Sequence, residues 1–213
     1  MKKTFLFDFD GTLVDSMPTF VSVMLRILDE RGIKYGEDIV KIITPLGYRG
    51  TAEYFRSLGA KESADALVEI MNRYARVEYE NSIPAKEFVG DTLREMKARG
   101  YSLSVLTASP HVALDPCLKR LGFWDMFDNV WSCDDFNTTK ADPEIYKMAA
   151  ARVGVDPEEM IFVDDNYNAV KTAKNAGAMA VGIFDESSRE YIDEFRAMAD
   201  RYVMDFSELL DLE

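Results

Sequence analysis

The stretch FLFDFDGTLVDS, residues 5–16, decides how the chain folds. Phe5, Leu6, Phe7 and Phe9 form a short apolar run of the kind that fills a buried parallel strand, so residues 4–9 are expected to be the first strand of a sheet. Asp8 and Asp10 then fall where that strand ends. A buried carboxylate without a partner is costly, so two of them at the mouth of an apolar sheet call for a compensating cation.

Working outward, short apolar runs alternate with amphipathic stretches, the pattern of an α/β domain with a parallel sheet. Strands are expected at residues 102–107, 130–133, 160–163 and 179–183, with a short sixth at 202–204. The helices between them carry readable ends. One over 89–99 stops at Gly100, and one over 143–153 opens on Pro143 and stops at Gly154. Asp156-Pro157 reads as an N-cap, and Ser187 with Glu190 as a capping box. Residues 17–82 break the alternation and read as helices only, over 19–31, 37–43, 51–58 and 62–80. The expected architecture is a Rossmann-like doubly wound parallel sheet, residues 1–16 and 83–213, with an all-helical cap inserted at 17–82.

The chain has 213 residues, enough for one sheet domain plus a small insert. Its net charge of −13 disfavours nucleic acid or an acidic membrane as partner and means that an anionic substrate needs a local cationic site. Cys117 and Cys133 match no zinc spacing and are expected as reduced thiols in a cytoplasmic protein. The start MKKTFLFDFD is interrupted by Asp8 after three apolar residues and does not read as a signal peptide. No run is long enough for a membrane span. A monomer and a dimer are both compatible with the sequence.

Ligands of a doubly wound sheet bind beyond the carboxyl ends of its strands. The first strand delivers Asp8, Asp10, Gly11 and Thr12; the second Thr107, Ala108 and Ser109; the third Asp134 and Asp135, with Lys140 further on; the fourth Asp164, Asp165 and Asn166. Taken singly, most of these are ordinary residues: an aspartate at a strand end commonly caps a turn, and Asp134 and Asp135 are read that way. Together they describe a site. Asp8, Asp10, Asp164 and Asp165 repel one another unless a cation lies between them, and clustered oxygen ligands that share a phosphate suit Mg²⁺. Lys140 and Thr107 can hold phosphoryl oxygens, and Gly11 lets backbone N–H groups approach an anion. His111 is the only histidine, so no catalytic triad or histidine metal cluster can form; it is expected to cap the helix after the second strand or to lie near the site.

DFDGTLVDS (8–16), VLTAS (105–109), the lysine of TTKADPEIY (138–146) and FVDDNYNAV (162–170) resemble, in order, the four motifs of the haloacid dehalogenase-like hydrolase superfamily. The helical insert after the first motif is similar to the cap of its phosphoglycolate phosphatase and β-phosphoglucomutase branch. The resemblance implies a Mg²⁺-dependent phosphatase of small phosphorylated metabolites. Asp8 is then the nucleophile that forms an aspartyl phosphate, and Asp10 the general acid/base. Thr107 and Lys140 hold the phosphoryl group, with Gly11, Thr12 and Ala108 beside it. Asp165 binds the metal together with Asp8 and the Asp10 carbonyl, and Asp164 is a nearby ligand or a carboxylate that supports the ligands. Departures from the pattern are Ala141 after the lysine, Ala108 in the second motif and Ala169 in the fourth.

In relatives with this cap, a loop corresponding to TPLGYRG (44–50) chooses the substrate, which makes Arg49 and Tyr48 candidate substrate readers. The alternatives are a phosphomutase, disfavoured by Phe20 and Pro45 where such relatives carry histidine and lysine, and a phosphometabolite-binding regulator without turnover.

Overall fold

Strands β1 (Thr4–Phe7), β2 (Ser102–Thr107), β3 (Asn129–Ser132), β4 (Met160–Asp164), β5 (Met179–Ile183) and β6 (Arg201–Val203) form one parallel sheet in the order β3-β2-β1-β4-β5-β6. The protein is described from a computed structural model that covers residues 3–43 and 46–212. The chain packs as two units. One runs to Asp15 and resumes at Pro84; the other is Ser16–Ile83.

In the sheet unit, β1 lies at the centre, paired with β2 through Phe7↔Val105 and with β4 through Phe7↔Val163. Successive side chains of a strand point to opposite faces. Phe5 and Phe7 stack on one face, with centroids 5.5 Å apart, and Phe7 meets Phe127 and Phe206 there. Leu6 joins the other face with Leu106, Phe162, Tyr146 and Ala173. Both faces are covered, which is why these strands read as continuous apolar runs. The strand order reverses beside β1, between β2 and β4, and the carboxyl ends of these three strands therefore form the crevice where ligands of such sheets bind.

β1 ends at Phe7, two residues earlier than the sequence suggests. Asp8 N still donates to Val163 O (2.9 Å), but the chain then folds on itself, with Leu13 N and Val14 N both donating to Phe9 O. Phe9 is buried in that turn rather than in the strand.

The helical unit contains α1 (Met17–Glu30), α2 (Ile39–Ile43), α3 (Gly47–Ser57) and α4 (Ala64–Asn81), with no strand among its described residues. Met24, Ile27, Leu28, Phe55, Leu67 and Met71 close its core, and Ser63 caps α4 by accepting from Ala66 N (3.2 Å). Thr44 and Pro45, the start of the TPLGYRG segment and the site of one of the mutase arguments, lie outside the described residues, as do Met1 and Lys2 of the N-terminal reading. The rest of that segment corrects the expectation of a loop: residues 47–50 are the first turn of α3. Gly47, at φ +60°, turns the chain into the helix. Gly50 sits inside it against Leu46, where a β-carbon would stand 3.0 Å from Leu46 Cβ. Two glycines that suggest a loop thus serve a tight helix start.

The sheet unit is completed by α5 (Val89–Ala98), α6 (His111–Leu121), α7 (Glu144–Val153), α8 (Tyr167–Asn175) and α9 (Ile192–Met198). The turn at residues 186–191 is capped by Asp185, which accepts from Ser187 N (2.9 Å) and Ser187 Oγ (2.6 Å), so the expected Ser187–Glu190 box is not the one used. His111 does not cap α6; Pro110 precedes the helix, and the imidazole bridges Asp115 and Asp135 at 2.7 and 2.8 Å.

Candidate active site

The carboxyl ends of β1 and β4 bring three aspartates into contact. Asp8, Asp164 and Asp165 are all buried, and each offers a carboxylate oxygen within 4.8 Å of the others. Lys140, on the segment before α7, reaches into this group. Its Nζ donates to Asp8 Oδ1 (2.6 Å) and Asp164 Oδ2 (2.7 Å). Tyr146 steadies the lysine's backbone, its hydroxyl lying 3.0 Å from Lys140 O and 3.1 Å from Ala169 O.

The remaining groups fix these acids in place. Asn166 N donates to Asp164 Oδ1 (2.7 Å), and the Asn166 side chain caps α8. Thr12 Oγ1 donates to Asp165 Oδ1 and accepts from Asp165 N, both at 3.2 Å. Gly11 has φ +76°, and a β-carbon there would lie 2.4 Å from Asp165 Oδ2. The carboxylate of Asp10 accepts from Ser109 Oγ. Ser109 N in turn donates to Thr107 Oγ1 (3.0 Å), while Ala108 between them is exposed.

One ammonium does not balance three carboxylates, and burial acts against the charge of two of them. Burial, reinforced by Asp164 and Asp10, pushes the Asp8 carboxyl up to about 7 despite the pull of Lys140. Burial and then the charges of Asp164, Asp8 and Asp185 hold Asp165 well above the usual carboxylate range. Burial works against the charge on Lys140, but Asp164 and Asp8 outweigh it and keep the lysine protonated well beyond its ordinary range. An all-oxygen, anionic, preorganised donor set of this kind fits a hard divalent cation.

The sequence residues Asp8, Thr12, Lys140, Asp164 and Asp165 are thus joined by direct contacts, with Asp10 and Thr107 linked through Ser109. Arg49 and Tyr48 have partners within the helical unit. Arg49 pairs with Asp65 and, at 3.5 Å, with Glu53, and Tyr48 stacks on Phe20 with centroids 5.3 Å apart. Ser109, Tyr146, Lys86 and Asp185 are further members of this network that the motifs alone do not assign a role. Ser109 lies inside VLTAS and Tyr146 at the end of TTKADPEIY, whereas Lys86 and Asp185 carry no local signal.

The model of the haloacid dehalogenase-like hydrolase family matches residues 2–177. The chain belongs to this family. Among curated relatives of this haloacid dehalogenase-like hydrolase, pyrophosphatase PpaX of Bacillus velezensis is 34% identical over 84% of the chain and 81% of its own length. Phosphoglycolate phosphatase of Salmonella paratyphi A is 30% identical over 83% and 79%. Among solved structures, CbbY of Rhodobacter sphaeroides superposes with a TM-score of 0.78 over all of both chains at 24% identity, a likeness of fold. The chain is accordingly an enzyme of the phosphatase kind. No helix among its described residues is long and apolar enough to cross a membrane.

Proposed function

We propose that this hydrolase is a Mg²⁺-dependent phosphatase that removes the phosphoryl group of a small phosphorylated metabolite through an aspartyl phosphate on Asp8. The observation that carries the proposal is the Lys140 ammonium held between Asp8 and Asp164, with Asp165 in the same buried cluster, at the crevice of the sheet. Asp8, Asp164 and Asp165, with the main-chain carbonyl of Asp10, would hold the metal. Bound there, Mg²⁺ would neutralise phosphoryl charge and lower the repulsion between Asp8 and an anionic substrate.

The chain's own residues divide the work. Lys140 orients the Asp8 carboxylate for in-line attack on phosphorus and, with Thr107, holds phosphoryl oxygens. Gly11, Thr12 and Ala108 bring their main chain to the same anion. Asp10, fixed by Ser109, protonates the leaving oxygen. It then takes a proton from the water that attacks the acyl phosphate, releasing phosphate and restoring Asp8. The lysine and the metal together would supply the local positive charge that an anionic substrate needs on a chain of net charge −13.

Hydrolysis is preferred to phosphoryl transfer onto a second sugar position, since Phe20, stacked on Tyr48, offers no titratable group. We place the enzyme in the cytoplasm, in keeping with free, buried Cys117 and Cys133. The test is hydrolysis of an aryl phosphate with Mg²⁺ and with EDTA, followed by a panel of phosphorylated metabolites in which pyrophosphate and phosphoglycolate, named for the relatives, come first. Metal-dependent release of phosphate is expected; equal rates with and without the chelator would contradict the proposal.

A further inference from the structure

Lys86 lies in the segment that leads back from the helical unit into the sheet unit, and its side chain is only 19% exposed. Its ammonium donates to three acceptors: Gly11 O (2.6 Å), Phe184 O (2.7 Å) and Asp185 Oδ2 (3.0 Å). That uses all three of its N–H donors. The surrounding main chain is paired as well. Lys86 N donates to Leu13 O (3.1 Å), Asp15 N donates to Pro84 O (3.0 Å), and Val14 forms an antiparallel bridge with Ala85.

The Gly11 carbonyl belongs to the same planar peptide as the nitrogen of Thr12, so holding the one oxygen orients the start of Thr12. Thr12 exchanges two hydrogen bonds with Asp165, and the α-carbon of Gly11 sits against the Asp165 carboxylate. A continuous path of contacts therefore runs from Lys86 through Gly11 and Thr12 to Asp165.

We propose that Lys86 is a positioning residue of the active site: it anchors the Gly11–Thr12 turn to the end of β5 and thereby fixes the carboxylate of Asp165 in the metal-binding cluster. The inference rests on the proposed role of Asp165 as a metal ligand. It gives Lys86 a function that its location in a linker does not suggest.

Charge alone would have the opposite effect. Removing a cation from beside a cation site strengthens metal binding by electrostatics, whereas removing an anchor weakens it. Calorimetric titration of Mg²⁺ without substrate separates the two. Lys86→Met keeps an unbranched side chain of similar length and loses its donors. It should bind Mg²⁺ about tenfold more weakly or worse, the scale of losing an outer-shell partner of a metal ligand. Hydrogen exchange of the peptide covering residues 9–14 should accelerate, and kcat should fall more than KM changes. Lys86→Gln removes the charge but keeps an amide donor for the two carbonyls, so its Mg²⁺ affinity should stay within about threefold of wild type. Mg²⁺ binding that is unchanged in Lys86→Met, or tighter in either variant, overturns the inference. Should the wild-type protein bind no Mg²⁺ and hydrolyse no phosphate ester, the functional reading fails, and the exchange comparison still decides separately whether Lys86 anchors the turn.

Discussion

Gly11 and Asp165 share a space that no side chain on residue 11 can enter: a β-carbon there would come within 2.4–2.8 Å of all three terminal atoms of the Asp165 carboxylate. The turn after β1 and the carboxylate after β4 are therefore built against each other. Gly11→Ala should force Asp165 to move and should abolish Mg²⁺ binding by calorimetry. The left-handed φ of residue 11 adds a cost of about 1–2 kcal/mol for alanine. In a chain of this size that lowers Tm by roughly 2–8 °C. An alanine variant with wild-type Mg²⁺ affinity would show that the turn can yield without disturbing Asp165.

Lys140 is held by two buried acids, so its removal should cost more than its hydrogen bonds are worth. Breaking a buried ion group by deleting one partner typically costs about 3–5 kcal/mol. Lys140→Met should show a large fall in Tm at neutral pH. The deficit should shrink at acid pH, where Asp8, whose carboxyl burial raises to about 7, takes up a proton and no longer needs the ammonium. Thermal unfolding at the two pH values reads this directly, and a deficit independent of pH would mean that packing, not charge, is what Lys140 supplies.

The elevated carboxyl of Asp8 sets a pH dependence with a definite sign. Its pKa rises from 3.8 to about 7 on folding, mainly through burial. Between those values the folded protein keeps a proton that the unfolded chain has released, so the stability of the protein in chelator falls as pH rises through that window. Asp165 is displaced in the same direction. A divalent cation takes the ionised carboxylates. The gain in Tm on adding Mg²⁺ should therefore grow between pH 5.5 and about 7.5; a gain that shrinks over that interval would contradict the assignment of these acids as ligands.

Much of this was legible in the sequence, for reasons that differ from residue to residue. The sheet could be read because β1, β2, β4 and β5 are buried on both faces and so appear as apolar runs. The cluster could be read because aspartates at the ends of β1 and β4 acquire meaning once those strands are neighbours. What could not be read were contacts that depend on long separations with no pattern. Lys86 meets Phe184 and Asp185 across nearly a hundred residues, and nothing near Lys86 announces it. The start of α3 misled for a local reason: glycine usually marks a loop, yet here Gly47 takes the left-handed φ that turns the chain into the helix and Gly50 lies close against Leu46. Asp185 displaced Ser187 as a cap because both have capping side chains and only the path of the chain after β5 chooses between them.

Asp10 should be separable from Asp8 by leaving group. Asp10→Asn keeps the main-chain carbonyl and the nucleophile but loses proton transfer, a contribution of about 10²–10⁴-fold for a general acid or base. An aryl phosphate, whose leaving group needs little protonation, should lose less in kcat/KM than an alkyl phosphate. Equal losses for the two substrates would remove Asp10 from the role of acid.

The central claim is that Asp8 itself becomes phosphorylated. During turnover of a ³²P-labelled substrate with Mg²⁺, quenching in acid should trap label on the protein, on the peptide that carries Asp8. That label should be released by hydroxylamine, as an acyl phosphate is, and should be absent from Asp8→Asn, which should also lack turnover. Steady release of phosphate with no trapped label, together with substantial activity in Asp8→Asn, would contradict the account.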